Sequence, residues 1–379
     1  MLFTDLNIIA PVLSAIEKAG YTAPTPIQQQ AIPIVLAGHD IIGCAQTGTG
    51  KTAAFAIPII QLLHNKPVAS KHIQTLILTP TRELAVQINE NFALYKGTTG
   101  ITHTVVVGGV SQNTQVAAIK KGAQIVIATP GRLLDLIKQG LVSIKQVETL
   151  VLDEADTMLD MGFIHDIKKL LTFIPKKRQT LFFSATMPAA IRSFAQSILN
   201  QPKEVSVSPV SSTSEAVKQS VIYVDQAGKD MLLQSILKSQ NNSRSLIFTR
   251  TKHGANKLLA KLEKVGIKGA AIHGNKSQSA RQRALNDFKS HAITVLIATD
   301  IAARGIDIDD LKFVINYEIP NIAETYVHRI GRTGRGGNFG EALSFCSAQE
   351  KKDFKSIEKL IGFKVAVNHA FTASVASNN

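Results

Sequence analysis

The sequence predicts an α/β fold of two tandem parallel-sheet domains joined by a short linker. Short apolar runs alternate with helical patterns, as in a parallel sheet covered by helices on both faces. The alternation stops at 203–217, where serine replaces the apolar pattern, and then restarts. Apolar residues make up 45% of the chain, aromatics only 6%, and tryptophan is absent. Aliphatic side chains must therefore fill the cores, which is typical of buried parallel strands.

Six strands are predicted in each half, each from a short apolar run. In the first half they cover 40–44, 75–78, 104–107, 124–128, 149–152 and 180–183. Helical patterns between them include 51–63 and 82–95. In the second half the strands cover 221–224, 245–249, 270–272, 295–298, 313–316 and 342–346. The polar tail after Val365 is expected to fray.

Length, charge and cysteine content exclude several classes of protein. The 379 residues suffice for two buried cores. No apolar run approaches the ~20 residues that span a bilayer, and the first 20 residues do not have the pattern of a secretory signal. Two distant cysteines, Cys44 and Cys346, predict no disulfide framework and favour a reducing, cytoplasmic setting. The net charge of +14 favours polyanionic partners, but a merely basic soluble surface explains it equally well.

Residues 45–52, AQTGTGKT, follow a predicted strand and open a predicted helix. Gly48 and Gly50 let backbone N–H groups turn towards phosphate oxygens. Lys51 is placed to reach the β- and γ-phosphates, and Thr52 to ligate Mg²⁺. Ala45 stands where the strict pattern has its first glycine. A chance glycine-rich turn is the alternative, and the flanking strand and helix favour a phosphate loop.

Asp153 and Glu154 follow the predicted strand 149–152, at the edge of the sheet where ligands bind in open α/β folds. Asp153 is placed to hold Mg²⁺ through water, and Glu154 to orient or deprotonate an attacking water. By itself, a solvated acidic turn would look the same. Together with the phosphate loop, the pair predicts phosphoryl transfer, which needs both parts.

Six segments occur in a fixed order along the chain: AQTGTGKT, PTRELA (80–85), TPGR (129–132), DEAD (153–156), SAT (184–186) and HRIGRTGR (328–335). With them, the chain from Phe3 to about Phe345 resembles the DEAD-box ATP-dependent RNA helicases, whose fold is a pair of RecA-like domains. The stretches DMGFIHDI, FTRTKHGANKL and AIHGNKSQSARQRAL resemble the bacterial RhlE-type subgroup most. The resemblance implies an ATP-binding domain at 1–205, a linker at 206–217, a second helicase domain at 218–365 and a tail at 366–379.

The resemblance also implies an ATP site on the first domain that the second domain completes. Gln28, in GYTAPTPIQ (20–28), would pair with adenine and select ATP over GTP, and Tyr21 would stack on the base. Arg332 and Arg335 would stabilise charge on the γ-phosphate, with contacts to RNA phosphate as the alternative. Asp307 would lie near the ribose. The other nucleotide-binding residues would be Phe3, Gln46, Thr47, Gly48, Thr49, Gly50, Lys51 and Thr52. Coupling of this site to domain closure would fall to Asp156, Ser184, Thr186 and His328.

RNA contacts are implied on both domains. In the first they are Pro80, Thr81, Arg82, Gly108, Gly109, Thr129, Pro130, Gly131 and Arg132. In the second they are Arg250, Gly274, Gln278, Arg281 and Thr299. Small and basic residues contact sugar and phosphate, so binding should be independent of base sequence.

The combined interpretation is an RNA-stimulated ATPase with ATP and Mg²⁺ as cofactors. Closure of the domains on ATP and RNA would separate a short duplex without processive movement, or remodel an RNA–protein complex. We expect a monomer with ribosomal or RNA-decay partners and no membrane association. Three alternatives remain open: an ATP-gated RNA clamp, an inactive RNA-binding scaffold and a DNA-translocating helicase. The presence of Lys51, Asp153, Glu154, Arg332 and Arg335 argues against the scaffold.

Overall fold

The computed structural model describes residues 1–46, 48–66, 71–207, 217–239, 243–303, 308, 311–334 and 339–369. The chain divides into two compact units, Met1–Pro209 and Val210–Asn379. Three predicted site residues, Thr47, Asp307 and Arg335, lie outside the described residues, as do most of the predicted linker and tail. Within the described ranges, no helix has both the length and the apolar character needed to cross a membrane.

The first unit is built on a seven-stranded parallel sheet. Its strands, β1 to β7, are Ile41–Cys44, Thr75–Leu78, His103–Val106, Ile125–Ala128, Thr149–Leu152, Gln179–Ser184 and Lys203–Ser206. Its helices, α1 to α9, are Ala10–Lys18, Pro26–Leu36, Lys51–His64, Arg82–Tyr95, Gln112–Lys120, Pro130–Lys138, Ala155–Asp160, Ile164–Leu171 and Ala189–Ile198. A short 3₁₀ helix, Phe3–Leu6, precedes α1. The spatial order of the strands is β3-β4-β2-β5-β6-β1-β7.

Helices cover both faces of this sheet. Successive side chains of a strand point to opposite faces, so apolar residues on both faces need helices to bury them. Ile41 and Ile77 pack with residues of α1 to α4 in one core cluster. Their neighbours Ile42, Leu76 and Leu78 pack with residues of α5 to α9 in a second cluster. Strands buried on both faces lack a polar side, which explains why the central positions of β2, β4 and β5 are all apolar.

The second unit repeats this architecture. Its strands, β8 to β14, are Val217–Tyr223, Ser245–Thr249, Gly269–Ile272, Val295–Thr299, Phe313–Asn316, Gly340–Cys346 and Ala366–Val367. Its helices, α10 to α15, are Lys229–Ser239, Lys252–Lys264, Gln278–Lys289, Asp300–Ala303, Ala323–Ile330 and Lys351–Ile361. A 3₁₀ turn, Ala348–Glu350, precedes α15. The strands lie in the order β10-β11-β9-β12-β13-β8-β14, which is the order of the first sheet with every strand number raised by seven.

The predicted fold class is confirmed, and four of the predicted strands have the observed bounds: Thr75–Leu78, Thr149–Leu152, Ser245–Thr249 and Phe313–Asn316. Two edge strands were missed. Lys203–Ser206, at the start of the segment interpreted as a linker, pairs with β1. Ala366–Val367, in the tail expected to fray, pairs with β8. Only Val205 of these six residues is buried. Backbone hydrogen bonds rather than apolar burial therefore form both strands. Backbone pairing does not require apolar side chains, so the sequence has no hydrophobic pattern that would predict these strands.

Candidate nucleotide and RNA sites

The phosphate loop leaves β1 and enters α3. Gly50 has a φ of +90° and stands immediately before the helix, in a conformation that disfavours any residue with a Cβ atom. Lys51 is buried, and its Nζ donates to the backbone oxygen of Ala45, so the lysine folds back over the loop. The hydroxyl of Thr49 donates to the oxygen of Gln46 at 2.7 Å, which closes the turn.

Gln28, the predicted adenine contact, lies against the phosphate loop. The side-chain Oε1 accepts from the backbone N–H of Thr25 at 2.9 Å, and Nε2 donates to the oxygen of Gly50 at 3.2 Å. These bonds use one of two acceptor lone pairs and one of two N–H donors of the amide. A Cβ atom on Gly50 would lie only 2.4 Å from Nε2. A side chain at position 50 would therefore displace the Gln28 amide from this position, besides straining the turn.

Tyr21 and Phe3, the other members of the predicted base-binding set, belong to one aromatic cluster. The two rings meet edge to face with centroids 6.3 Å apart, and Tyr21 meets Tyr95 of α4 in the same way at 5.8 Å. The hydroxyls of Tyr21 and Tyr95 lie 2.8 Å apart. The sequence interpretation did not include Tyr95, because nothing local marks a tyrosine at the end of a helix as a partner of residue 21.

Asp153 and Glu154 lie at the carboxyl end of β5, both nearly inaccessible to solvent. The backbone N–H of Glu154 donates to Oδ1 of Asp153 at 3.0 Å. Glu154 has a φ of +51°, which costs a residue with a side chain about 1–2 kcal/mol. Strain of this kind is characteristic of functional sites, and Glu154 stands immediately before α7.

Burial raises the pKa of Asp153 to about 7; Lys51 opposes this shift and Glu154 adds to it. A bound cation would favour the ionised carboxylate. Among the described residues, no three His, Cys, Asp or Glu side chains form a group that could hold a metal ion. Mg²⁺ needs few protein ligands where phosphate oxygens and water complete its octahedron. Asp153 and Thr52 both carry the oxygen donors that Mg²⁺ prefers, so their chemistry suits a magnesium ion shared with a nucleotide.

Asp156 connects the DEAD segment to the SAT segment after β6. Its Oδ2 accepts from the backbone N–H groups of Ala185 and Thr186 at 3.1 and 2.9 Å, and from the Thr186 hydroxyl at 2.9 Å. The hydroxyl of Ser184 accepts from the N–H of Asp156 at 3.3 Å and donates to the oxygen of Thr186 at 2.8 Å. Hydrogen bonds to an ionised carboxylate are stronger than neutral ones. Four hydrogen bonds therefore join the two motifs.

Arg82 and the glycine pair that follows β3, all predicted RNA contacts, lie together. A Cβ atom on Gly109 would be 2.2 Å from Nη1 of Arg82, and one on Gly108 would be 3.1 Å from Nη2. Gly109 also has a φ of +79°. The glycines thus leave the space that the guanidinium occupies. Thr81 caps α4 by accepting from the N–H of Leu84, which fixes the start of the helix that carries Arg82.

Sheet topology separates the two predicted residue sets of the first unit. The phosphate loop, the acid pair and the SAT segment follow β1, β5 and β6, whereas the RNA set follows β2, β3 and β4. In the sheet, β3, β4 and β2 are neighbours, and β5, β6 and β1 are the next three. Because all strands are parallel, every carboxyl end lies on one edge of the sheet. This edge therefore has two adjacent halves, one for each predicted ligand.

The predicted RNA contacts of the second unit lie after the corresponding strands β9 and β10 and at the end of β11. Gln278 and Arg281 are buried in the first turn of α12, and Gly274 is exposed in the loop before it. Arg250 is already held within the unit, because its guanidinium donates to Ile319 O and Asp353 Oδ2 at 2.6 and 2.9 Å. Thr299 ends β11 and is half-buried.

Arg332 follows α14 in the sequence HRIGRTGR, and its Nε donates to the oxygen of His328 at 3.2 Å. The sequence interpretation overlooked Arg329, which is 1% exposed. Its guanidinium binds both carboxylate oxygens of Asp300 at 2.5 and 2.9 Å and lies over the ring of Phe248.

A signal for Arg329 existed in the sequence. Tyr326 of α14 is an apolar position, and residue 329 lies three positions further on the same side of the helix. Arg329 also donates to Oδ1 of Asn316 at 3.1 Å and to the oxygen of Glu318 at 2.6 Å. These contacts anchor α14, and with it Arg332, to the ends of β11 and β12.

Comparison with known families matches both units. A family described as DEAD/DEAH box helicase matches residues 25–194, and one described as helicase conserved C-terminal domain matches residues 228–337. The ATP-dependent RNA helicase DeaD of Buchnera aphidicola is 42% identical over 367 residues, which are 97% of this chain and 60% of that protein. The DEAD-box ATP-dependent RNA helicase CshA of Streptococcus pneumoniae is 43% identical over 360 residues, 95% of this chain and 68% of that protein.

A solved structure of S. cerevisiae Dbp5 bound to RNA and ADP BeF3 is also similar. It is 32% identical, covers 99% of this chain and 98% of its own, and has a TM-score of 0.88. The expected pair of RecA-like domains is thereby confirmed. The family matches, the relatives and the ordered motifs agree, and the chain belongs to the DEAD-box family of ATP-dependent RNA helicases.

Proposed function

We propose that this chain is an RNA-stimulated ATPase that separates short RNA duplexes or remodels RNA–protein complexes without processive movement. One observation carries the proposal: two adjacent halves of the same sheet edge bear the residues suited to a nucleotide and those suited to an RNA backbone. Two ligands that bind side by side on a rigid sheet are positioned to influence each other. The named relatives, which are ATP-dependent RNA helicases, support this function.

In the proposed mechanism, residues of the first unit bind and polarise ATP. Lys51 and the backbone of the phosphate loop hold the β- and γ-phosphates, and Gln28 reads the adenine. Glu154 orients the attacking water and accepts its proton. Asp153 and Thr52 would hold Mg²⁺, which when bound neutralises phosphate charge. Arg332 and Arg335, from the second unit, would stabilise the charge that develops on the γ-phosphate.

RNA would bind along the other half of the edge, chiefly through its sugars and phosphates. Arg82, set in the space left by Gly108 and Gly109, would contact phosphate, and the second unit would extend the track. ATP and RNA would each favour the closed arrangement of the two domains, so each would raise the affinity for the other by linkage. The Asp156–Thr186 connection would transmit closure to the catalytic residues. Hydrolysis would reopen the domains and release RNA.

The finer assignments are part of the same proposal. We assign the chain to the RhlE-type subgroup because of the stretches DMGFIHDI, FTRTKHGANKL and AIHGNKSQSARQRAL. The relatives from Buchnera aphidicola and Streptococcus pneumoniae are named DeaD and CshA. We also assign domains to 1–205 and 218–365, with the linker at 206–217. The chain spans 60% of the length of the DeaD relative, so activity, substrates and any ribosomal or RNA-decay partners of the whole protein belong to the proposal.

The proposal is tested by ATP hydrolysis with and without single-stranded RNA, with matched DNA as competitor and Glu154→Gln as the blank. Strong stimulation by RNA but not by DNA is expected, with ATP and RNA binding intact and turnover abolished in Glu154→Gln. A duplex-separation assay then distinguishes a helicase from an ATP-gated clamp. Unimpaired turnover in Glu154→Gln would remove Glu154 as the base, and equal stimulation by DNA would overturn the assignment of RNA.

A further inference from the structure

The two sheets have the same strand order, so each loop of one unit has a counterpart in the other. The counterpart of the phosphate loop runs from β8 to α10. In both loops a glycine and a lysine open the helix, Gly50 and Lys51 in the first unit and Gly228 and Lys229 in the second. The next pair of loops also corresponds, because Thr81 and Thr251 each cap the following helix through the side-chain oxygen.

The two lysines differ in their surroundings. Lys51 is buried at the edge of the first sheet and donates to the oxygen of Ala45. Lys229 has no exposed surface and has three acceptors. Its Nζ donates to Oε2 of Glu350 at 2.6 Å, to the oxygen of Tyr317 at 2.8 Å and to the oxygen of Phe345 at 3.1 Å.

The carboxylate of Glu350 lies inside a set of donors. Besides Lys229, its Oε2 accepts from the backbone N–H of Ser347 at 2.9 Å and from the Ser347 hydroxyl at 2.8 Å. Its Oε1 accepts from the N–H of Ile319 at 3.0 Å, and Nη2 of Arg250 lies 3.7 Å away. A lysine, backbone N–H groups and a hydroxyl around one anion are the donors that a phosphate site uses.

The strands that precede these donors are the equivalents of the strands that precede the first unit's candidate nucleotide site. Lys229 follows β8, Ile319 follows β12 and Ser347 follows β13. Their counterparts are β1, β5 and β6, which carry Lys51, the pair of acids and the SAT segment.

We propose that Glu350 is an internal ligand: its carboxylate occupies, in the second unit, the position that nucleotide phosphate takes in the first, and thereby excludes nucleotide from the second unit. The comparison with the first unit rests on the proposed ATP site. The position of Glu350 among its donors, which we call the anion cradle, does not depend on that proposal. The chain would therefore bind one nucleotide, although it contains two sheets of the same topology.

Two further observations agree with an internal anion. Burial by itself would raise the pKa of Glu350, but hydrogen bonds from Lys229 and Ser347 outweigh it, and the pKa lies below the usual value. The carboxylate is therefore charged at neutral pH. A surface cavity of about 530 Å³, lined in part by Gln226 and Ala227 of the β8–α10 loop and by Glu318, borders the same loop. Small solutes can therefore approach this loop from the cavity, whereas Lys229 and Glu350 themselves are buried.

The test is chemical rescue of Glu350→Ala by inorganic phosphate. Removing one partner of a buried ion pair is strongly destabilising. Hydrogen exchange in peptides that cover β8–α10 and β13–α15 should therefore accelerate by roughly 100-fold in the variant. Added phosphate at 100 mM, as an experimental choice, should slow this exchange again by about tenfold or more, since a ligand that binds only the folded state stabilises it. If the variant does not fold alone, refolding yield with and without phosphate replaces exchange as the readout.

Three controls separate an anion cradle from a general salt effect. Potassium chloride of matched ionic strength should not rescue Glu350→Ala. The double variant Lys229→Met with Glu350→Ala should not respond to phosphate, because the lysine that binds the anion is gone. Glu350→Gln fills the space and should respond less than Glu350→Ala.

Equal rescue of the single and double variants, or none in Glu350→Ala, would overturn the proposal. The readout needs no ATP turnover, so failure here is distinct from failure of the proposed function.

Discussion

The guanidinium of Arg82 lies where a side chain at position 109 would have to be, with Nη1 only 2.2 Å from the position of a Cβ atom. The arginine starts α4, and the glycine follows β3, an outer strand of the sheet. The geometry makes Gly109 a support for Arg82, in addition to its predicted contact with RNA. It also provides a direct way to displace the arginine without deleting its charge.

Gly109→Ala should weaken RNA binding by about tenfold, because loss of a well-placed charged hydrogen bond costs ~1.5–3 kcal/mol. The matched control is Gly140→Ala, since Gly140 has a similar φ of +70° but nothing within 4 Å of a Cβ atom. Both variants carry the backbone strain, and only Gly109→Ala disturbs Arg82. Fluorescence anisotropy of labelled single-stranded RNA measures the affinity. Equal loss in both variants would mean that strain, not the arginine, is responsible.

Gln28→Ala should raise the ATP concentration needed for half-maximal hydrolysis by about tenfold and narrow the preference for ATP over GTP. The variant loses the proposed contact with adenine and the bond to Gly50, each worth ~1 kcal/mol. Gln30→Ala is the control, because Gln30 is exposed on the same helix. Steady-state hydrolysis of both nucleotides gives the preference, and an unchanged preference would exclude the adenine role.

Thr186→Val should uncouple hydrolysis from strand separation. The change removes the hydroxyl donor to Asp156 and keeps the backbone bond from residue 186, so the two motifs stay in contact but are held less firmly. We expect RNA-stimulated hydrolysis within about threefold of the parent and duplex separation per ATP reduced about tenfold. Thr172→Val, at an exposed helix end, is the control. A parallel fall in both activities would contradict a coupling role.

Arg332→Ala should reduce the hydrolysis rate at saturating ATP by about 100-fold or more, because an arginine that stabilises the γ-phosphate charge acts in the transition state. ATP binding to the first unit should change little. Arg283→Ala removes the same charge from an exposed position of the second unit and is the control. Single-turnover hydrolysis and nucleotide titration separate the two effects. A loss of RNA affinity alone would assign Arg332 to RNA instead.

The stability of the first unit should depend on His103 below neutral pH. Burial lowers the pKa of His103 to about 4, and Lys96 adds to the effect, while the unfolded chain titrates near 6.5. The unfolded state therefore binds more protons between these values, so the contribution is complete above pH 6.5 and is lost as pH falls through 4. The full shift corresponds to about 2 kcal/mol at pH 5, and because the ring is partly exposed, solvent screening reduces the loss to about 1 kcal/mol.

His103→Gln should show a smaller decrease in stability between pH 7 and pH 5 than the parent, measured by hydrogen exchange of the β3 amides. His165→Gln, at an exposed position of the same unit, should behave as the parent. A decrease in His103→Gln as large as that of the parent would show that other groups dominate acid destabilisation.

The sequence by itself determined the class of the fold and the location of its motifs. Strands buried on both faces, such as Thr75–Leu78 and Ser245–Thr249, were predictable because their burial makes the central positions a continuous apolar run. The phosphate loop and the acid pair were predictable because their residue types and spacing follow from the chemistry of phosphate.

Only the tertiary structure decided which of these residues support one another. Gln28 meets Gly50 across 22 positions, Asp156 meets Thr186 across 30, and Lys229 meets Glu350 across 121. Such contacts depend on strand order and on the face of the sheet towards which each loop turns. The local sequence pattern predicts neither of these. The edge strands were hidden for a related reason, because backbone pairing forms them while their side chains stay mostly in solvent.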